Sequence, residues 1–387
     1  MTSRLVGKLN DALDRRVRWG IPWRGREVSG FRFWATAGLT VSIAVAMTLS
    51  VVRALDPLLM LAVIAAGGAA CFLLALGYKV ITGEEQLVFL HHVTATMASA
   101  AVGLHLVGEP ATPYLEILAV SFGLLLALGR LGCLSAGCCH GRPHDWGVRY
   151  GPQQVDEGFP SALIGVRLAP VQLAESVWAG VASIAAVGAL ATDAPAGATL
   201  SWFVPTYALA RFVCELWRGD AARTWWGPLS EAQWVCLGLT AGVVAAQWTD
   251  VLPAGAWSRG FALVVLAGQA LVAASGPLRR RLEPFRPDDV EAVAEAIRAD
   301  GDGSVVVRTL RSGWRLSRGR ISSNEGACLH WAVSGMPSGE GPPDNLTDLL
   351  LRMEGLPRDT PVRIDDTRQV THILAFPSPP KETLHDG

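Results

Sequence analysis

Gly129-Arg130-Leu131-Gly132-Cys133-Leu134-Ser135-Ala136-Gly137-Cys138-Cys139-His140-Gly141-Arg142-Pro143 is the stretch on which the reading of this chain turns. It closes an apolar run, Tyr114 to Leu128, and then places four glycines, two arginines, three cysteines and a histidine within fifteen residues. An apolar helix that ends in Gly-Arg brings a cation to the edge of a membrane. Such a cation is costly there unless paired, so it marks a candidate functional site. The glycines point to tight bends or close approach of backbone to a neighbour.

The surroundings agree. Half of the 387 residues are hydrophobic, 17% are charged and the mean hydropathy is positive. A soluble chain carries roughly 25% charged residues. The deficit is concentrated in the middle of the chain, since the first thirty and the last hundred residues are normally charged. Net charge is −1, which argues against a nucleic-acid partner. Of seven cysteines, Cys71, Cys133, Cys214 and Cys236 lie in or beside apolar segments, so a disulfide scaffold is not expected.

Eight apolar segments are predicted: Phe31–Val52, Pro57–Val80, Leu87–Val107, Pro113–Leu134, Ala169–Ala191, Leu200–Trp217, Glu231–Trp248 and Ser258–Gly276. They define an all-α polytopic membrane protein with about seven or eight transmembrane helices over 31–276, multi-pass in the plasma (inner) membrane. The loop Ser135–Leu168 is long enough to form a small head over the organising stretch. Residues 1–30 are basic, and Leu5, Leu9, Leu13 and Val17 recur at helical spacing. This segment reads as a solvated tail that fixes orientation, or as a short amphipathic helix on the membrane surface. It is not a signal peptide. Pro277, Arg279–Arg281, Pro284 and Pro287 mark a linker over 277–287. Residues 288–377 read as a small soluble α+β domain: a helix over Val290–Arg298, a hairpin of Val305–Leu310 and Trp314–Ile321, a strand at Leu329–Val333, a helix over Asn345–Met353 and strands at Val362–Ile364 and His372–Phe376. Residues 378–387 read as a disordered tail. Cys328 and His330 share one face of a strand, which is expected to be packing.

Tyr207, Arg211, Glu215 and Arg218 are spaced 4, 4 and 3, and so form one polar stripe on an otherwise apolar helix. Gln172 and Glu175 form a second. In a membrane such stripes face the bundle interior. His91 and His92 sit within an apolar segment and are candidate proton acceptors.

Four motifs in order resemble the prolipoprotein diacylglyceryl transferase family over about Leu87 to Trp248. Gly129-Arg130-Leu131-Gly132 through Gly141-Arg142-Pro143 resembles its Gly-Arg-x-Gly-Asn-Phe-x-Asn-x-Glu-aromatic-x-Gly signature. His91-His92 falls at its His-Gly-Gly segment, and Pro170-Val171-Gln172-Leu173-Ala174-Glu175 resembles His-Pro-x-Gln-Leu-Tyr-Glu. Tyr207 to Arg218 resembles Tyr-x-x-x-Arg-Phe-x-x-Glu-Phe-x-Arg, followed by Leu229-Ser230-Glu231-Ala232-Gln233 for Leu-Ser-x-x-Gln. The resemblance implies transfer of a diacylglyceryl group from phosphatidylglycerol to the lipobox cysteine of a prolipoprotein, in lipoprotein biosynthesis, with no cofactor. Arg130, Arg211 and Arg218 would grip the lipid phosphate, since a planar guanidinium binds phosphate bidentately and stays charged. One of His91, His92 and His140 would handle protons.

The signature is altered. Cys133 stands where the family has its first Asn, Ala136 at the second, Cys138 at the Glu and His140 at the aromatic, while His92 and Val93 replace two glycines. Cys133, Cys138 and Cys139 are therefore candidate reactive thiols, as a Cys beside Arg or His can be a thiolate nucleophile. The alternative function is a non-enzymatic membrane protein that binds anionic lipid or senses redox state through these thiols. No metal is expected, because Cys-x4-Cys-Cys-His is not a regular zinc spacing and adjacent cysteines point apart on most backbones. The arginine bias puts both termini and the long loop inside, whereas the family is expected to place the corresponding head outside.

Overall fold

The computed structural model describes residues 3–83, 89–221, 223–276, 278, 287–298, 307–309, 314–323, 326–335, 346–367 and 370–377. The linker arginines, the turn at 311–313, the 378–387 tail and the side chain of His91 lie outside this set.

Each of the eight apolar segments is a helix: α2 (Gly30–Val52), α3 (Pro57–Thr82), α4 (Phe89–Leu106), α5 (Ala111–Ala136), α6 (Val171–Leu190), α7 (Leu200–Trp217), α8 (Glu231–Trp248) and α9 (Ala256–Ala274). Among the described residues five of them, α2, α3, α5, α6 and α9, are long and apolar enough to cross a membrane. The helices α4, α7 and α8 have 18 residues each.

Local chemistry sets the ends. Asp56 caps α3 by accepting the Leu58 amide at 2.8 Å, with Pro57 in the first turn where its missing N–H costs nothing. Ser230 and Gln233 form a reciprocal capping box on α8, which explains the Leu-Ser-x-x-Gln spacing. Pro205 lies inside α7 and cannot donate to the carbonyl four residues earlier. That carbonyl, on Ser201, instead accepts the Gln247 side-chain amide of α8 at 2.9 Å. The start of α7 is closed by the buried Glu116 of α5, whose carboxylate accepts the amides of Gly197 and Thr199 at 3.0 and 2.6 Å.

The central helix is α5, packed between α2 and α6. Small residues let the backbones approach, as in membrane bundles generally. A Cβ on Gly132 would lie 3.2 Å from the Phe31 carbonyl oxygen. At the far end Arg53 donates to the carbonyls of Thr192 and Ala194, tying the α2–α3 turn to the α6–α7 turn.

At the near end residues 137–170 form the head. Strand β3 (Pro143–Arg149) pairs with β4 (Arg167–Leu168) around two short 3-10 helices. The amphipathic helix expected on the membrane surface or as a solvated tail is present as α1 (Ser3–Arg16), but its place is different. Leu9, Leu13 and Val17 pack into the head's core, and Asp14 pairs with Arg167 at 2.9 Å. Three of the four residues of the apolar stripe thus have a protein partner, and Leu5 is exposed. A hairpin, β1 (Gly20–Trp23) with β2 (Arg26–Ser29), then leads into α2; it was not anticipated, since four-residue strands around Arg24-Gly25 leave almost no alternation to read.

The C-terminal domain has helix α10 (Pro287–Arg298), strands β7 (Val307–Thr309), β8 (Arg315–Ser323) and β9 (Gly326–Ser334), helix α11 (Leu346–Met353), and strands β10 (Val362–Asp366) and β11 (Val370–Ala375). They make one antiparallel sheet in the order β10-β11-β9-β8-β7. Cys328 is buried, with its thiol on the Ile321 carbonyl, and His330 meets His372 at 2.9 Å, so the pair is packing as expected. The domain is docked on the head. Arg298 donates to the carbonyls of Ala162 and Ile164, Arg352 pairs with Asp145, and one apolar cluster runs through Leu13, Val148, Leu163, Val293 and Trp331.

Candidate functional site

The end of α5 is the floor of the site. Arg130 is buried, and its Nε meets Glu175 of α6 at 2.9 Å. The other oxygen of Glu175 lies 3.7 Å from Arg211 of α7. Arg211 also pairs with Glu215 at 2.7 Å, and Arg218 pairs with the same carboxylate at 3.2 Å. Arg218 is further held by Asp220, and Arg223 donates to the Glu215 carbonyl at 2.7 Å. Two glutamates thus link three arginines into one chain of charge. In a low-dielectric bundle each pair is favourable only while all its members are present.

The two stripes read from spacing converge as expected. Tyr207, Arg211, Glu215 and Arg218 all face one chamber of about 580 Å³, together with Arg130, His92 and the three cysteines. Phe31, Ala35, Leu125 and Leu126 supply an apolar wall. Gln172 stands behind the wall, donating to the Cys138 carbonyl at 2.9 Å and to the Tyr150 hydroxyl. It fixes the backbone that carries the thiols.

Gly137 ends α5 with φ +81, a left-handed cap. Cys139 also adopts a left-handed conformation, with φ +53, at a cost on the order of 1 kcal/mol for a residue with a β-carbon. The effect is to turn the second of two adjacent cysteines back toward the first. The sulfurs of Cys133, Cys138 and Cys139 all lie within 4.8 Å of one another. The expectation that adjacent cysteines point apart is corrected by this bend. Hydrogen bonds from the Cys133 and Cys138 thiols, with Arg218 and Arg130 nearby, hold the Cys139 thiol well below its ordinary pKa.

His140 does not reach the chamber wall. Its ring packs edge-on against Phe159, and Nδ1 donates to the Gly141 carbonyl at 2.9 Å. Burial lowers its pKa. Its role is to hold the crossing at which Gly141 N donates to the Ala169 carbonyl and Gly219 N to the His140 carbonyl. There is no room at this crossing for a Cβ on Gly141 or Gly219. Of the candidate bases, His92 is the one the described side chains bring to the chamber.

Sequence reasoning missed Asp220, Arg223 and Glu231. Asp220 and Arg223 follow the Tyr207–Arg218 stripe within one short connection, where β5 (Trp225–Trp226) and β6 (Leu229–Ser230) return the chain to the bundle, and Glu231 opens α8. The signal available was charge density: two acids and an arginine gathered at the junction of two apolar helices.

A bundle of apolar helices whose polar interior is a buried arginine–carboxylate network defines a multi-pass membrane protein with a charged chamber at one end. Residues 90–249 match the model of the prolipoprotein diacylglyceryl transferase family, so that segment is similar to the family. The match starts in α4 and ends after α8, close to the span of the motifs, and leaves α1 to α3, α9 and the C-terminal domain outside. No curated protein matches the chain.

Proposed function

We propose that the chain is a membrane transferase that moves a diacylglyceryl group from phosphatidylglycerol to a cysteine thiol, with the lipobox peptide of a prolipoprotein as acceptor. The observation that carries this reading is the chamber itself. Arg130, Arg211 and Arg218 line it beside an apolar wall, so one space suits both a phosphate and the glyceryl end of a lipid. Guanidinium forks bind phosphate bidentately and stabilise the charge that develops on a leaving phosphate. His92 is placed on the same wall to take the acceptor proton. The acceptor sulfur attacks the glyceryl carbon, the carbon–oxygen bond breaks, and glycerol phosphate leaves with the electron pair. All eight helices cross the bilayer in this reading, α4, α7 and α8 being stabilised by packing where they are less apolar. The chamber opens near the inner, cytoplasmic face of the plasma membrane.

A second reading, an anionic-lipid-binding or thiol-sensing protein on the same fold, is favoured by the convergence of three sulfurs. One assay separates the two. Full-length protein in phosphatidylglycerol bilayers is given a lipobox peptide, and diacylglyceryl-peptide is sought by mass spectrometry. The expected result is product from the wild type and none from Arg130→Ala. Undiminished product from Arg130→Ala would sink the proposed phosphate grip. Lipid bound through Arg130 with no product from the wild type would favour the second reading.

A further inference from the structure

The sulfurs of Cys133, Cys138 and Cys139 lie within 4.8 Å of one another on the wall of the chamber. Two left-handed residues, Gly137 and Cys139, are what bring them there. The last of these carries a side chain, in a conformation seldom held without a structural reason. A zinc–sulfur bond is about 2.3 Å, so a tetrahedral site needs sulfurs roughly 3.8 Å apart. A contraction of about 1 Å or less between each pair would close it. Thiolates select soft cations. Three protein ligands with an open fourth position are the pattern of a catalytic rather than a structural zinc. The surroundings fit the charge. Three thiolates on a divalent ion carry one surplus negative charge, and Arg130 and Arg218 share the same wall.

We infer that Cys133, Cys138 and Cys139 form a tris-thiolate zinc site whose fourth position takes the sulfur of the acceptor thiol. This inference rests on the transfer reading of the chamber. On binding, the acceptor S–H gives its proton to His92 on the same wall and the sulfur reaches zinc as a thiolate. A sulfur lone pair forms the bond to the glyceryl carbon. The carbon–oxygen bond breaks, its electron pair stays on the phosphate oxygen beside the arginines, and the zinc keeps its oxidation state. The thioether product is a weak ligand and leaves. The exchange of an Asn and a Glu of the family signature for Cys133 and Cys138 then replaces polar partners by metal ligands.

The test uses reduced, chelator-stripped full-length protein in phosphatidylglycerol nanodiscs. Zn²⁺ is titrated against a chromophoric chelator, and Co²⁺ is used as the spectroscopic probe. One equivalent should bind, with sulfur-to-cobalt charge transfer of three thiolates that rises to four when a lipobox cysteine peptide is added and not when its serine counterpart is. Cys139→Ser and Cys138→Ser should each weaken zinc binding by more than about 100-fold, beyond the loss usual for outer-shell partners. Cys328→Ser, in the C-terminal sheet, should leave it unchanged. No stoichiometric zinc on the wild type, or binding indifferent to both variants, overturns the site. Diacylglyceryl-peptide made at full rate by the zinc-free protein also overturns it while upholding transfer. Entry of the peptide sulfur with no product upholds the zinc site and removes the transfer reading.

Discussion

At the residue scale the centre of the site is Glu175. It is one carboxylate answering two arginines from two other helices, at 2.9 and 3.7 Å, and it is almost wholly buried. Removing one member of a buried pair leaves a charge without its partner and costs roughly 3–5 kcal/mol. Glu175→Gln is expected to lower stability by about that much. Adding Arg130→Gln to it should cost far less than the two single losses summed, because the second change removes the stranded charge. Thermal unfolding of the four proteins in one lipid gives the coupling. Additive losses would show that the two side chains do not act as a pair. The sequence announced Glu175 only as a helper three residues from Gln172, since spacing along one helix carries no information about which arginines of other helices will meet it.

At the element scale much of the architecture was legible. All eight apolar segments are helices within a few residues of their predicted ends, because uninterrupted apolar runs and proline or serine caps are local signals. The polar stripe of α7 faces the chamber as its 4, 4, 3 spacing required. What stayed hidden was decided by contacts between distant parts. The stripe of α1 was referred to lipid or solvent, yet it packs on β3. The caps of α7, Glu116 and Gln247, lie 84 residues before Leu200 and 46 after Ser201. The second cap gives a prediction. A buried carbonyl left without a donor costs about 1–3 kcal/mol, so Gln247→Leu should lower stability by that amount. In a Pro205→Ala background the amide at 205 can reach Ser201, and the loss from Gln247→Leu should shrink toward zero. An unchanged loss in that background would mean that Gln247 acts through packing rather than through Ser201.

At the scale of the whole molecule, α1, the head and the C-terminal domain share one end of the bundle and one core. The N-terminus and the long loop therefore cannot lie on opposite sides of the membrane. The arginine-rich N-terminus argues for the inner side, and the contact of Asp14 with Arg167 carries the head with it. Thiols on that side remain reduced, as a nucleophilic or metal-binding role needs. The C-terminal domain should be cut by added protease in inverted membrane vesicles and spared in intact spheroplasts. The reverse pattern would place the chamber on the outer face.

Because Val148, Leu163 and Leu168 of the head are covered by residues near the end of the chain, such as Val293 and Trp331, the order of synthesis matters. The ribosome completes the head roughly 200 residues before it reaches β11, an interval on the order of ten to forty seconds at ordinary elongation rates. Throughout it the apolar face of the head stands uncovered. The C-terminal domain therefore acts as a cover for the head, and a nascent chain released before that domain is made would betray itself by an uncovered apolar head.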